Sequence, residues 1–151
     1  MDRNEFIAVI DRKIKLLRAE KDFSQDKMAE ILGISKKTLI NIEKGRSSIG
    51  WTGAVAACAV FRDSELLEAS FGGDVMFIIQ SLAFGNYSRE YGRTLGGRVW
   101  WRDVRAQSGF RVQQNIISNH YRVLDAQDRR ICSSFDLNYI DKRLIELTAS
   151  K

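Results

Sequence analysis

Hydrophobic residues recur at helical spacing along the first half of the chain, and short polar or glycine-containing breaks divide them into five segments. Ser24 and Ser35 each precede a segment as a favoured N-cap residue, whereas Gly33 and Gly45 each follow one. The pattern predicts an all-α, five-helix N-terminal domain over residues 1–72, which ends at Gly72-Gly73. The predicted helices are Arg3–Glu20, Gln25–Leu32, Lys36–Lys44, Gly50–Phe61 and Glu65–Ser70. In the fourth, the predicted buried side consists of Trp51, Val55, Ala56, Ala59 and Val60.

The second half of the chain begins with a short apolar helix and then changes its period. Val75–Phe84 is apolar nearly all round, which predicts burial between the two halves or in a dimer interface. The glycine-rich segment Gly85–Gly97 is predicted to be a loop. From Arg98 apolar residues alternate, with Phe110, Val112 and Ile116 on one face, and four short strands are predicted at residues 98–104, 110–117, 120–125 and 129–134.

The connections between these strands are short, which favours antiparallel pairing. Asp136 is predicted to cap a last helix with an apolar stripe of Leu137, Ile140, Leu144, Ile145 and Leu147. The predicted fold class is therefore α+β. The five-helix domain is followed, over residues 73–151, by a small antiparallel β-meander with flanking helices.

The third predicted helix separates its side chains into an apolar face and a cationic face. At 100° per residue, Thr38, Leu39 and Ile42 point to one side. Lysine can donate to guanine or to phosphate, asparagine can pair with adenine, and an isoleucine suits a thymine methyl group. A helix that binds in the major groove needs such side chains on its exposed side. The side of the third helix opposite Leu39 and Ile42 spans roughly 140° and carries Lys36, Lys37, Ile40, Asn41 and Lys44.

The spacing of several residues resembles that of the phage-repressor/Cro-like (XRE-type) helix-turn-helix regulators, over about residues 8–70. The resemblance is carried by Ser24-Gln25, Met28-Ala29, Leu32-Gly33-Ile34-Ser35, Leu39, Ile42-Glu43 and Gly45. It implies that the third helix enters the groove with Lys36, Lys37 and Asn41 facing bases. It also implies that Gln25 touches a phosphate and that Lys44 and Arg46 lie along the backbone, with Thr38 as a weaker backbone candidate because its angle places it toward the core. Ile40 departs from the family pattern, which usually has a polar residue there, so the base preference does not carry over.

Positive charge is concentrated outside this motif. Residues 1–72 hold 12 basic and 11 acidic side chains, whereas residues 73–151 hold 12 and 8, and ten of those twelve are arginine. Adjacent tryptophans in a strand point to opposite faces, so one indole is predicted to lie in the core. The favoured interpretation is that a neighbouring helix or a second subunit covers the other indole. The alternative is that this indole is exposed beside arginines, where it could stack on a ligand or a partner. The candidate ligand or partner surface is Arg98, Trp100, Trp101, Arg102 and Arg105.

Other classes of function lack a supporting pattern. No apolar run approaches the length of a membrane span and the N-terminus does not resemble a signal peptide, so a cytoplasmic location without membrane contact is expected. Cys58 and Cys132 form no metal-binding spacing, and Cys58 is predicted to be a small core residue. With His120 as the single histidine and no catalytic constellation, we expect no metal, no cofactor and no enzymatic activity.

The sequence thus predicts a sequence-specific DNA-binding transcriptional regulator, in the first instance a repressor. One helix-turn-helix reaches only about four to six base pairs, so a homodimer on an inverted-repeat operator is expected. Residues 73–151 would then dimerise or sense a protein partner or small effector. The alternative is an antitoxin-type or other protein-interaction module that autoregulates through the same DNA-binding domain.

Overall fold

The computed structural model describes residues 1–85, 87–88 and 100–149. The chain divides into two compact units, each described by itself below. The N-terminal unit comprises Asp2–Ser70 and Asp74–Met76, and the C-terminal unit comprises Met1, Phe71–Gly73 and Phe77–Lys151. The sequence-predicted boundary at residues 72 and 73 stays a prediction.

The first five helices match the predicted segments to within one residue at each end. They are α1 (Arg3–Glu20), α2 (Gln25–Leu32), α3 (Lys36–Glu43), α4 (Gly50–Val60) and α5 (Glu65–Phe71). Side-chain caps explain where α1 and α2 begin: Asp2 and Glu5 form a reciprocal capping box on α1, and Ser24 accepts the backbone N–H of Lys27 on α2. Helix α4, by contrast, begins without a side-chain cap.

The core of the N-terminal unit lies where α1 packs on α3 and α4. A stripe on α1, made of Phe6, Ile10, Ile14 and Leu17, is fully buried. Cys58 is also fully buried, as predicted, and burial raises the pKa of its thiol to about 12.

The predicted buried side of α4 is wrong. The buried residues are Ala54, Ala57 and Cys58, whereas Val60 is 52% exposed. Because α4 is apolar around most of its circumference, its sequence does not distinguish one face. The structure uses the face with the smallest side chains, which lets neighbouring helices approach closely.

The C-terminal unit contains the predicted antiparallel sheet, so the α+β fold class is confirmed. After α6 (Val75–Phe84) come β1 (Tyr87–Ser88), β2 (Trp101–Gln107), β3 (Phe110–Asn115), β4 (Tyr121–Leu124), β5 (Arg130–Ser134) and α7 (Leu137–Ala149). The sheet order is β1-β5-β4-β3-β2 with every pair antiparallel. Strand β1 lies in the segment Gly85–Gly97, so the prediction of a loop is wrong at these two residues. The rest of that segment after Gly85 lies outside the described residues.

One face of the sheet packs against α7. The shared hydrophobic cluster comprises Phe110, Val112, Val123, Cys132, Ile140 and Leu144. The predicted stripes were too wide, since Ile116 is 51% exposed, Ile145 64% and Leu137 36%. Ile116 follows the end of β3, and Ile145 is rotated by about 100° from Leu144.

The opposite face of the sheet, the polar face, carries the side chains that alternate with this cluster. Gln113, Arg122 and Ser133 are directly opposite one another on β3, β4 and β5, and each is at most 6% exposed. At the end of β3, Asn115 is fully buried, and its amide donates to the carbonyl of Gly72 at 2.6 Å. Gly72 has φ +71°, and a Cβ atom there would collide with the Asn115 carboxamide.

His120 lies at the edge of the polar face and is held in its neutral form. It is 3% exposed, its Nδ1 lies 2.6 Å from the Ser118 hydroxyl, and its ring meets that of Trp101 edge-on. Burial, followed by the charges of Arg122, Arg130 and the chain's amino terminus, lowers the pKa of His120 to about 3.

This depressed pKa predicts a pH dependence that one variant isolates. Between pH 6.5 and 3, His120 is protonated in the unfolded chain but neutral in the folded protein. The free energy of unfolding therefore falls as the pH falls. From pH 7.5 to pH 5, wild type should lose about 2 kcal/mol more than His120→Gln in urea unfolding. Because His120 is the single histidine, its imidazole NMR signal gives a second readout and should not titrate over this range in the folded protein. Equal losses in both proteins, or a signal that titrates near pH 6.5, would contradict the prediction.

Candidate nucleic-acid interface

The turn between α2 and α3 fixes how α3 is presented. Gly33 ends α2 with φ +67°, and the backbone N–H of Ile34 donates to the carbonyl of Ala29 at 3.0 Å. Ser35 then caps α3 by accepting the N–H of Thr38 at 3.0 Å. Since Leu39 and Ile42 are buried in the unit, the remaining sides of α3 are the ones left for another molecule.

The exposed side of α3 is cationic and carries an amide. Lys36, Lys37 and Lys44 are exposed, and Asn41 is half-buried. Within the described residues, the side chains of Lys37, Lys44 and Asn41 make no hydrogen bond or ion pair, so their donors remain available to bases or phosphates. Their predicted roles in reading bases or following the backbone remain predictions.

Two residues of α3 differ from their predicted placement. Thr38 was expected toward the core, but it is exposed and its hydroxyl lies 2.8 Å from that of Ser35. It belongs to the first turn of a short helix, where the cap faces solvent. Ile40 was expected in the middle of the exposed arc and is instead half-buried.

Lys36 is engaged by an acidic neighbour. Its Nζ donates to the Asp26 carboxylate at 2.7 Å, and the two side chains are 51% and 72% exposed. An ion pair this exposed contributes little and is screened by salt. Lys36 can therefore leave Asp26 for a base at small cost, although the carboxylate lowers the positive potential on this side.

Arg46 is held beside the end of α3 by the backbone. Gly45 has φ +68°, and the N–H of Arg46 donates to the carbonyl of Asn41 at 2.8 Å. The loop thus folds back on the helix and leaves the Arg46 side chain exposed. Its predicted position along a DNA backbone stays a prediction.

A charged network connects α1, α2 and α3. Arg18 donates to Glu43 through Nε at 2.6 Å and through Nη2 at 3.1 Å, and it also donates to the Phe23 carbonyl at 3.1 Å. Gln25 donates to the second oxygen of Glu43 at 3.0 Å. The amide nitrogen of Gln25 has a second hydrogen, so the predicted phosphate contact stays open.

Glu43 is ionised in this network although its side chain is only 5% exposed. Burial alone would raise the pKa of Glu43, but the hydrogen bonds from Arg18 and Gln25 and the Arg18 charge outweigh it, so the pKa lies below its usual range. The sequence pattern includes Glu43 among the residues that carry the family resemblance, next to the buried Ile42, but it assigns no role to Arg18. The available signal was the acid itself, since a carboxylate beside a buried face requires a cation.

The candidate ligand surface lies only partly within the described residues and stays a prediction. Arg98 lies outside the described residues, and Trp100 and Trp101 are both half-buried. Arg102 donates to Gln114 at 2.6 Å, and Arg105 donates to Asp141 of α7 at 2.8 Å. Trp100 directly precedes β2, and its carbonyl accepts the N–H of Ile116 at 2.8 Å.

Trp101 instead contacts a residue that sequence analysis did not assign. The guanidinium of Arg122 lies over its indole, 3.8 Å from the ring centroid. The signal in the sequence was weak, because Arg122 occurs at a strand position that could equally face solvent.

Comparison with known proteins gives one match. Residues 12–53 match the family model described as "Helix-turn-helix domain", which extends from within α1 to the start of α4. No curated protein and no solved structure matches the chain. The match confirms the predicted resemblance in the N-terminal region, and it supports a DNA-binding helix-turn-helix.

In the described part of the chain, no single helix is both long and apolar enough to cross a bilayer. Helices α5 and α6 satisfy the length and composition criteria only when taken together across their break.

The network around Glu43 predicts that Arg18 contributes far more to the free energy of unfolding than an exposed lysine does. Arg18→Gln leaves Glu43 buried without its cation and should lower the free energy of unfolding by about 2 kcal/mol at pH 7. Lys27→Gln removes an exposed ion pair with Glu30 and should cost less than about 0.5 kcal/mol.

The lowered pKa of Glu43 predicts a pH dependence of stability. The contribution of Glu43 to the free energy of unfolding is present above pH 4.5 and is lost as the pH falls through the folded pKa. Urea unfolding of wild type and Glu43→Gln between pH 7 and 3 measures this, and a gap between them that does not narrow in acid would refute it.

Proposed function

We propose that this chain is a sequence-specific transcriptional regulator that inserts α3 into the major groove of double-stranded DNA. The observation that carries the proposal is the exposed, cationic and amide-bearing side of α3, held by a capped turn and by the Arg18–Glu43 network. Lys36 and Lys37 donate to guanine, Asn41 pairs with adenine, and half-buried Ile40 contacts a thymine methyl group at the edge of the helix.

Contacts with the DNA backbone flank the base contacts of α3. Lys44 and Arg46 follow α3 and reach phosphates, and Thr38 can donate through its exposed hydroxyl. Gln25, at the start of α2, uses the second hydrogen of its amide. Such contacts set the register of the protein on DNA, whereas the α3 side chains provide the preference for sequence.

The proposed assembly is a homodimer that represses by occupying an inverted repeat. A single reading helix covers too few base pairs for a unique site, and two copies on successive turns double the number. Exposed apolar residues of the C-terminal unit, including Ile145 and Ile116, support a protein-contact role for it. We place the protein in the cytoplasm, with access to DNA, and we expect no cofactor and no catalysis.

The proposal predicts that Asn41 determines one base position. In a selection from a random DNA pool, full-length protein should enrich an inverted repeat with half-sites about one turn apart. Asn41→Ala should lose about 1–3 kcal/mol on the selected site and should relax preference at that position. Asn138→Ala, which changes an exposed asparagine of α7, is the matched control and should leave binding unchanged. No enriched sequence with wild type would move the function to protein interaction, and an unchanged Asn41→Ala profile would refute α3 as the reading helix.

Lys44 is predicted to act on all sequences alike. Lys44→Ala should weaken specific and non-specific DNA equally and should reduce the slope of log affinity against log salt by about one unit. Lys142→Ala removes the same charge from an exposed position of α7 and should leave the slope unaltered. Fluorescence anisotropy at several salt concentrations measures both, and a loss confined to the selected site would assign Lys44 to base reading instead.

A further inference from the structure

The polar face of the sheet contains an arginine that is fixed in position but only partly used. Arg122 is 6% exposed, and its Nε donates to the side-chain oxygen Oε1 of Gln113 at 2.9 Å. The amide of Gln113 in turn donates to Asp103 at 2.8 Å, which fixes the direction of that oxygen. The guanidinium is thus held at one nitrogen by a side chain that is itself oriented.

Trp101 holds the same guanidinium by its flat face. The two groups are 3.8 Å apart, and His120 contacts the indole edge-on with 4.8 Å between ring centroids. Stacking on an aromatic ring leaves the in-plane hydrogen-bonding edge of arginine free. The face and Nε of Arg122 are therefore occupied, whereas its end-on edge is not.

That end-on edge consists of Nη1 and Nη2. Neither nitrogen meets an acceptor in the parts of the chain that are described, and neither is among the buried atoms sealed from solvent without a partner. Two coplanar donors that diverge from one carbon match the two oxygens of a carboxylate. Because the residue is only 6% exposed, an anion on this edge would meet little competition from bulk water.

Positive charges outnumber negative ones among the groups that shift the pKa of Arg122. Burial first, and then the charges of Arg130 and Arg111, lower the pKa of Arg122 to about 10, with Asp103 acting in the opposite direction. Arg122 nevertheless remains a cation at neutral pH. An anion at its free edge would relieve both the desolvation and the repulsion.

We propose that the C-terminal unit binds a small organic carboxylate through the end-on edge of Arg122, with Trp101 and Gln113 holding the guanidinium in place. The inference goes beyond DNA recognition and does not rest on it. It is tested without DNA, so failure of one proposal leaves the other open to measurement.

The first experiment titrates the full-length protein with sodium benzoate and with its neutral isostere benzamide at constant ionic strength. Tryptophan indole N–H signals in NMR spectra are the readout, assigned with Trp101→Phe. Benzoate should shift the Trp101 signal in a saturable way, at least about tenfold more tightly than benzamide, while the Trp51 signal stays in place. No saturable shift, or equal binding of the amide, would overturn the proposal. Inorganic phosphate that binds as tightly as benzoate would overturn the assignment to carboxylates.

The second experiment changes the arginine. Arg122→Lys keeps the charge but loses the planar fork and should weaken benzoate binding at least about tenfold. Arg129→Gln removes an exposed arginine from the connection between β4 and β5 of the same sheet and should bind benzoate as wild type does. Circular dichroism establishes that each variant is folded, and if Arg122→Lys is not, the wild-type titration decides alone. A folded Arg122→Lys variant with unchanged benzoate affinity would refute the site.

Discussion

The orientation of α3, the proposed reading helix, depends on one charge pair, that of Arg18 with Glu43. Arg18 extends from α1 and grips Glu43 at the end of α3 with two nitrogens, and its third contact is the carbonyl of Phe23 just before α2. Gln25 closes the network from the first turn of α2. Apolar packing alone allows short helices to slide, because dispersion and burial have little directional preference. The two hydrogen bonds from the planar guanidinium of Arg18 to the nearly buried carboxylate of Glu43 are directional, so they fix the position of α3 relative to α1.

The C-terminal unit holds Arg122 differently. Its guanidinium lies over the indole of Trp101, 3.8 Å from the ring centroid. Aromatic faces attract a guanidinium without neutralising it. A salt bridge completes the electrostatics of a site, whereas a stacked arginine keeps a charge with which it can bind something else. This contrast separates an arginine that holds the fold together from one suited to recognition.

Sequence patterns predicted well where local chemistry determines structure. The caps at Ser24 and Ser35 and the left-handed Gly33 are local, so the helices of the DNA-binding motif were placed to within a residue. The same reasoning failed for α4, because a helix that is apolar nearly all round leaves its orientation to packing. Buried partners are set by tertiary folding, and neither Arg18 nor Arg122 carries its partner in the adjacent sequence.

Charge bookkeeping explains why base contacts and pairing have to supply much of the DNA affinity proposed for this chain. The first 72 residues hold 12 basic and 11 acidic side chains, and Asp26 occupies Lys36 at 2.7 Å on the reading side. Sequence-independent affinity grows with the number of phosphates neutralised, so one such unit should hold arbitrary DNA weakly. Weak non-specific binding reduces competition from the many wrong sites in a genome. The gain from the few α3 contacts, counted twice across a dimer, would then decide where the protein remains bound.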